Sequence, residues 1–88
     1  MKHASQEALD RLESLLVKLR QFPVLRETNR GVFYLRSKAF LHFHEDPTGL
    51  FADVRLVPDG DFVRMPVSSG VEREHLLEAI TQACAERC

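Results

Sequence analysis

The sequence predicts an α+β domain of two layers, in which two helices pack on one face of an antiparallel sheet of four or five strands. Leucines recur at three- and four-residue steps near the start, and a second apolar stripe of the same period lies near the end. Between these stripes, apolar and polar residues alternate from Val32 to Val67, which is the period of half-buried strands. Turn signals divide this segment into a meander, so the expected order of elements is α-β-β-β-β-β-α.

Length and composition indicate a single domain over residues 1–88. The net charge of −1 provides no overall field that would attract nucleic acid or an anionic membrane. No apolar run approaches the roughly 18 residues that a membrane helix needs. The start of the chain is acidic and has no apolar signal core, so we expect a cytoplasmic protein that does not bind membranes. Cys84 and Cys88 are too few for a disulfide framework.

The first helix is predicted over residues 5–21, with Ser5 placed to cap its start. The last helix is predicted over residues 70–87, because Ser69 and Glu72 have the spacing of a capping box. Each helix has one apolar stripe that is suited to packing on a sheet. The two stripes are formed by Leu9, Leu12, Leu15, Leu16 and Leu19 and by Leu76, Leu77, Ile80, Ala83 and Cys84.

The segment between the helices predicts five strands, of which the first is a short edge strand. Most of the connections carry the glycine, proline, asparagine or aspartate residues that favour turns. The predicted strands span residues 24–28, 31–36, 39–45, 50–57 and 62–67.

Two turns determine the predicted register of the sheet. An Asp59-Gly60 two-residue turn places Val54 opposite Met65. At the Pro47 turn, the register that keeps the aliphatic residues together places Asp53 opposite a histidine of the preceding strand. A three-residue loop there would bury both histidines of that strand without partners. We reject it because an unpaired buried polar group costs about 1–3 kcal/mol.

With this register, the two faces of the sheet differ in chemistry. One face is aliphatic and is expected to meet the helices, with Leu41, Phe43, Leu50, Ala52, Val54 and Leu56. The opposite face is rich in aromatic, histidine and charged side chains, and Tyr34 joins it as a candidate binding residue. The other candidates on this face are Phe40, His42, His44, Phe51, Asp53, Arg55, Phe62 and Arg64.

A metal site is one hypothesis for the second face. His42 and His44 are two residues apart on a strand, so their rings project from the same face, and Asp53 lies on the next strand. Two imidazoles and a carboxylate are enough protein ligands for an open zinc or iron site. A half-exposed surface pair beside an acidic residue is the alternative explanation of the same pattern.

An interaction surface is the hypothesis that the sequence favours most. Aromatic residues and arginine are enriched at protein interfaces, so we expect a homodimer through this sheet face, or an unidentified protein or small-molecule partner. Single-stranded nucleic acid also stacks on such residues, but the nearby Glu45, Asp46 and Asp61 disfavour it. The chain has no glycine-rich phosphate loop and no nucleophile elbow, so we expect no cofactor, no catalytic residue and a non-enzymatic role.

Two segments also carry a family resemblance. Phe22-Pro23-Val24 is followed by the run Phe33-Tyr34-Leu35-Arg36-Ser37-Lys38-Ala39-Phe40-Leu41-His42-Phe43 between two helices. This arrangement resembles the small bacterial domains grouped as MmcQ/YjbR-like, and it is similar to the short domain labelled "luciferase family". The resemblance implies a two-layer α+β fold and assigns no functional residue.

Overall fold

The predicted α+β architecture is confirmed by a computed structural model, which describes residues 1–86. Within these residues, three helices and six strands follow one another. They are β1 (Lys2–His3), α1 (Gln6–Arg11), α2 (Glu13–Leu19), β2 (Leu25–Asn29), β3 (Val32–Leu35), β4 (Lys38–Asp46), β5 (Gly49–Val54), β6 (Val63–Pro66) and α3 (Gly70–Glu86). The predicted helix end at Arg87 and the second cysteine, Cys88, lie outside the described residues.

The sheet is antiparallel, with the strand order β2-β3-β4-β5-β6. The central strand β4 is nine residues long and outruns β3, which pairs only with its first part. β1 pairs with the second part of β4, opposite His44 and Glu45. The sequence did not predict β1, because two residues are too few to show an alternating pattern.

The helices begin at the predicted caps. The Ser5 hydroxyl accepts a hydrogen bond from the Ala8 amide, and Ser69 and Glu72 form the reciprocal capping box. The predicted first helix is divided at Leu12, whose φ and ψ of −98° and 3° separate α1 from α2. Among residues 1–86, none of the helices is long and apolar enough to cross a membrane.

All three helices contribute to one core against the aliphatic face of the sheet. The leucine stripe of α1 and α2 is buried, and so are Leu76, Ile80, Ala83 and Cys84 of α3. The strands contribute side chains that alternate along β3, β4 and β5, as a half-buried sheet requires. These buried residues include Phe33, Leu35, Leu41, Phe43, Leu50, Ala52 and Val54. We call the opposite side of the sheet, which is turned away from the helices, the outer face.

The register between β4 and β5 confirms the choice made at the Pro47 turn. Asp46 pairs with Gly49, and the ladder places His42 directly opposite Asp53. Inside the turn, the Asp46 carboxylate accepts hydrogen bonds from the amide and the hydroxyl of Thr48. This local bonding fixes a two-residue connection, and therefore it fixes which residues of β4 and β5 share a face.

The predicted register between β5 and β6 is wrong by two residues. Val54 pairs with Val63 instead of Met65. A turn over residues 57–60 causes the difference, because the Gly60 amide donates to the Val57 carbonyl and Asp59 adopts a φ of 62°. Pro58 is the second residue of this turn, where the fixed φ of proline near −65° is favoured. A shift of two residues leaves the faces unchanged, so Arg64 remains on the outer face.

The predicted position of Phe40 on the outer face is also wrong. Phe33 pairs with Leu41 while Tyr34 pairs with Ala39, so Phe40 is an extra residue in the ladder. A bulge of this kind interrupts the regular ladder and bends the strand. Phe40 is consequently buried in the core cluster, with 1% of its surface exposed.

We expect Gly49→Ala to destabilise the domain, since this glycine completes the turn that determines the register. Its φ is +146°, and a Cβ built on it would lie 2.5 Å from the Ser68 hydroxyl oxygen. Strained backbone of this kind costs about 1–3 kcal/mol, which urea unfolding would measure. Gly70→Ala is the matched control, because a Cβ there meets nothing within 4 Å. Equal stability of the two variants would contradict the role assigned to Gly49.

Candidate functional site

Three neighbouring strands bring ionisable side chains together on the outer face. His42 of β4 lies opposite Asp53 of β5, and Asp53 lies opposite Arg64 of β6. His44 is two residues further along β4, so its ring emerges on the same side as that of His42. His3 of β1 pairs with His44 from the other direction. We call His3, His42 and His44 the histidine cluster.

Asp53 is the centre of the arrangement, and only 8% of its surface is exposed. Arg64 donates to both of its carboxylate oxygens, with Nε 2.8 Å from Oδ1 and a terminal nitrogen 2.8 Å from Oδ2. On the other side, Oδ2 lies 3.2 Å from Nε2 of His44 and 3.6 Å from Nε2 of His42. One carboxylate oxygen therefore faces two imidazoles and a guanidinium group.

The His44 side chain is largely buried, with 12% of its surface exposed. Among the residues that the structure describes, neither of its ring nitrogens has a hydrogen-bond partner. Nε2 is close to Asp53 Oδ2, but the pair does not have the direction that a hydrogen bond requires. Buried polar atoms are nearly always bonded, so an unsatisfied pair of nitrogens calls for a specific explanation.

The electrostatics favour an ionised carboxylate beside neutral imidazole. Hydrogen bonds from Arg64 lower the pKa of Asp53 below its ordinary value, against the opposing effect of burial. Burial lowers the pKa of His42, and the nearby His44 lowers it further. The lowered pKa therefore favours neutral His42, which has a lone pair on one ring nitrogen and a proton on the other, and Asp53 carries a negative charge.

Phe62 and Arg55 form one border of the site. The ring of Phe62 meets that of His42 edge to face at 5.0 Å, and Arg55 stacks on Phe62 with its guanidinium carbon 4.4 Å from the ring centre. Arg55 also donates to the carbonyls of Ala39 and Gly60. The predicted residues Arg55 and Phe62 thus stabilise the border of the site through packing and hydrogen bonds.

The other predicted residues lie further from the histidine cluster or off the face. Phe51 is half-buried and pairs with His44 across the ladder. Tyr34 is half-buried and pairs with Ala39, which is at the opposite end of β4 from His44. Phe40 is in the core, as described above. The face consequently exposes less aromatic surface than expected, and dimerisation or partner binding through it stays a prediction.

Sequence reasoning missed His3. Its ring stacks on that of His44 with centroids 4.7 Å apart, and it lies 5.9 Å from that of His42. The strand β1, which carries His3, has only two residues and shows no alternating pattern. The sequence therefore offered no signal for His3 except the presence of a histidine near the start of the chain. The structure adds a third imidazole to the pair that the alternating pattern identified.

One donor atom from each of His42, His44 and Asp53 lies within 4.8 Å of the others, which is a spacing that a single metal ion can draw together. Comparison with protein-family models, curated proteins and solved structures finds no match to this chain. The assignment of roles therefore depends on the geometry of these side chains.

Proposed function

We propose that this domain binds a divalent transition-metal ion of the zinc type, with His42, His44 and Asp53 as its ligands. The observation that carries the proposal is the His44 ring, whose two buried nitrogens lack hydrogen-bond partners within residues 1–86 and lie beside an ionised carboxylate. A bound cation would give one of these nitrogens a strong partner. Imidazole nitrogen and carboxylate oxygen are ligands that zinc, iron and nickel accept.

The distances between the donor atoms support this proposal. Zinc–nitrogen and zinc–oxygen bonds of about 2.0–2.1 Å in a tetrahedron place neighbouring donors roughly 3.3 Å apart. The separations of 3.2 Å and 3.6 Å between Asp53 Oδ2 and the two histidine nitrogens are close to this value. The donor atoms of all three residues lie within 4.8 Å of one another, so the imidazole rings must turn to aim their donors at one point.

Protonation also favours binding at neutral pH. A metal ion must compete with protons for imidazole nitrogen, so a histidine with a lowered pKa is the better ligand. Burial gives His42 this property, and Arg64 keeps Asp53 ionised by lowering its pKa. The lowered pKa values of His42 and Asp53 thus favour the protonation states that a metal ion requires of these two ligands.

Arg64 has two opposing effects on such a site. Its positive charge weakens the attraction between Asp53 and a cation. Its bidentate hydrogen bonds also hold the carboxylate in place, as partners of ligating carboxylates commonly do. Because an oxygen has more than one lone pair, Oδ2 can accept from Arg64 and still bind a cation. We expect moderate affinity as a result.

Isothermal titration of zinc into the chain without a histidine tag tests the proposal. We expect saturable binding of about one ion per chain, with a Kd of roughly 10 µM or below. His75→Ala is the matched control, because His75 is an exposed histidine on α3, away from the sheet. This variant should bind zinc as the wild type does.

Magnesium should give no comparable heat, since this ion prefers a shell of oxygen ligands and water. Two results would contradict the proposal. One is the absence of saturable zinc binding at neutral pH. The other is binding that is lost in the His75→Ala variant, which would place the ion elsewhere.

A further inference from the structure

β1 brings His3 to the metal-binding side chains, and the strand is held by main-chain pairing and by its flanking residues, with Ala4 against the core and the Met1 amino group 3.7 Å from Asp46. Neither of its two residues is buried. The main-chain ladder pairs Lys2 with Glu45 and His3 with His44, and the amide of Ala4 donates to the Phe43 carbonyl. So short an edge strand, with no side chain in the core, is at the low end of local stability.

The side chain of His3 nevertheless occupies a specific position. Its ring stacks on that of His44 with an interplanar angle of 28°, and His42 lies 5.9 Å away. His3 is not part of the group of donor atoms within 4.8 Å that His42, His44 and Asp53 form, so its ring must turn to reach the same ion. Because His3 is exposed, rotation of its side chain requires no rearrangement of the core.

His3 also borders open space on the side of His42. A cavity of about 150 Å³ lies beside β4, between β1 and the start of β3. His3 and His42 both line it, together with Gly31 and Val32. The space adjoins the two histidines and is larger than the roughly 30 Å³ that one water molecule occupies.

We propose that His3 is a fourth ligand of the metal ion and that metal binding thereby fastens β1 to the sheet. This inference rests on the proposed function, because it adds a donor to the site formed by His42, His44 and Asp53. Three imidazoles and one carboxylate complete the four-coordinate shell that closed zinc sites have. The zinc ion then joins the N-terminal strand to β4 and β5 in the same way that a structural metal clip joins loops.

Two measurements on the tag-free chain test the inference. In zinc titrations, His3→Ala should weaken binding about tenfold or more, whereas His75→Ala should leave it unchanged. In amide hydrogen exchange, saturating zinc should slow exchange of the Ala4 amide at least about tenfold in the wild type. The same amide should show no slowing by zinc in His3→Ala.

The outcomes separate this inference from the proposed function. If the wild type binds zinc, but His3→Ala binds it equally well and zinc does not protect the Ala4 amide, His3 is not a ligand and the three-residue site stands. If the wild type shows no zinc binding, the site itself is refuted and the role of His3 falls with it. Weaker binding in His3→Ala together with protection of Ala4 only in the wild type supports the inference.

Discussion

His44→Leu is expected to weaken zinc binding by roughly 100-fold or more, without loss of stability in the metal-free protein. Leucine fills a similar volume and removes both ring nitrogens, so the variant loses a ligand and retains the packing. It also removes two buried nitrogens that lack partners among the described residues. Unsatisfied buried polar atoms cost about 1–3 kcal/mol, and their removal should therefore leave stability equal or higher.

Zinc titration and urea unfolding of the same preparation measure the two effects together. Replacing a functional residue commonly lowers activity while stability stays equal or rises, because activity and stability place different demands on the side chain. An unchanged zinc affinity in His44→Leu would contradict the proposed ligand set. A clear loss of metal-free stability would show that the His44 ring is instead a satisfied structural group.

Phe43→Ala should cost about 3–5 kcal/mol of unfolding free energy. Phe43 lies between the two histidines in β4, but its side chain points into the core, with 3% of its surface exposed. Truncation removes a large buried ring and leaves a cavity in a close-packed interior. The loss is a large fraction of the roughly 5–15 kcal/mol that typical domains have, so the urea midpoint should fall steeply.

Phe62→Ala is the matched control, because this phenylalanine is half-buried on the outer face, beside His42. We expect it to cost less than half as much as Phe43→Ala. A loss below about 1 kcal/mol for Phe43→Ala would show that the two faces of the sheet are reversed. In that case His42 and His44 would point towards the helices.

The sequence predicts those parts of the site that depend on two local features, the alternation of side chains along a strand and one short turn. The side-chain period of two places His42 and His44 on one face. The Asp46–Gly49 turn then sets the register that brings Asp53 opposite His42. The turn can be recognised from its own residues, which are a proline, a glycine and an aspartate whose carboxylate accepts a hydrogen bond within the turn.

The parts that could not be predicted depend on contacts between distant segments. Phe40 enters the core through a β-bulge. The neighbouring residues are of the types found in regular strands, so the sequence does not mark the bulge. His3 reaches the site because β4 outruns β3 and leaves space for a two-residue strand. The predicted register of the last hairpin is wrong by two residues, because the segment around Pro58 can form a turn at two positions. The sequence favoured a turn centred on Asp59-Gly60, whereas the structure has a turn over residues 57–60.

The most direct test of the metal site is NMR observation of the imidazole nitrogens during addition of one equivalent of zinc to tag-free protein. A nitrogen that binds a metal changes its chemical shift strongly, so the spectrum identifies each ligand by residue. We predict that ring nitrogens of His42 and His44 shift together and saturate at one equivalent, while those of His75 stay unchanged. Saturating zinc that leaves the His42 and His44 nitrogens at their metal-free shifts would contradict the account.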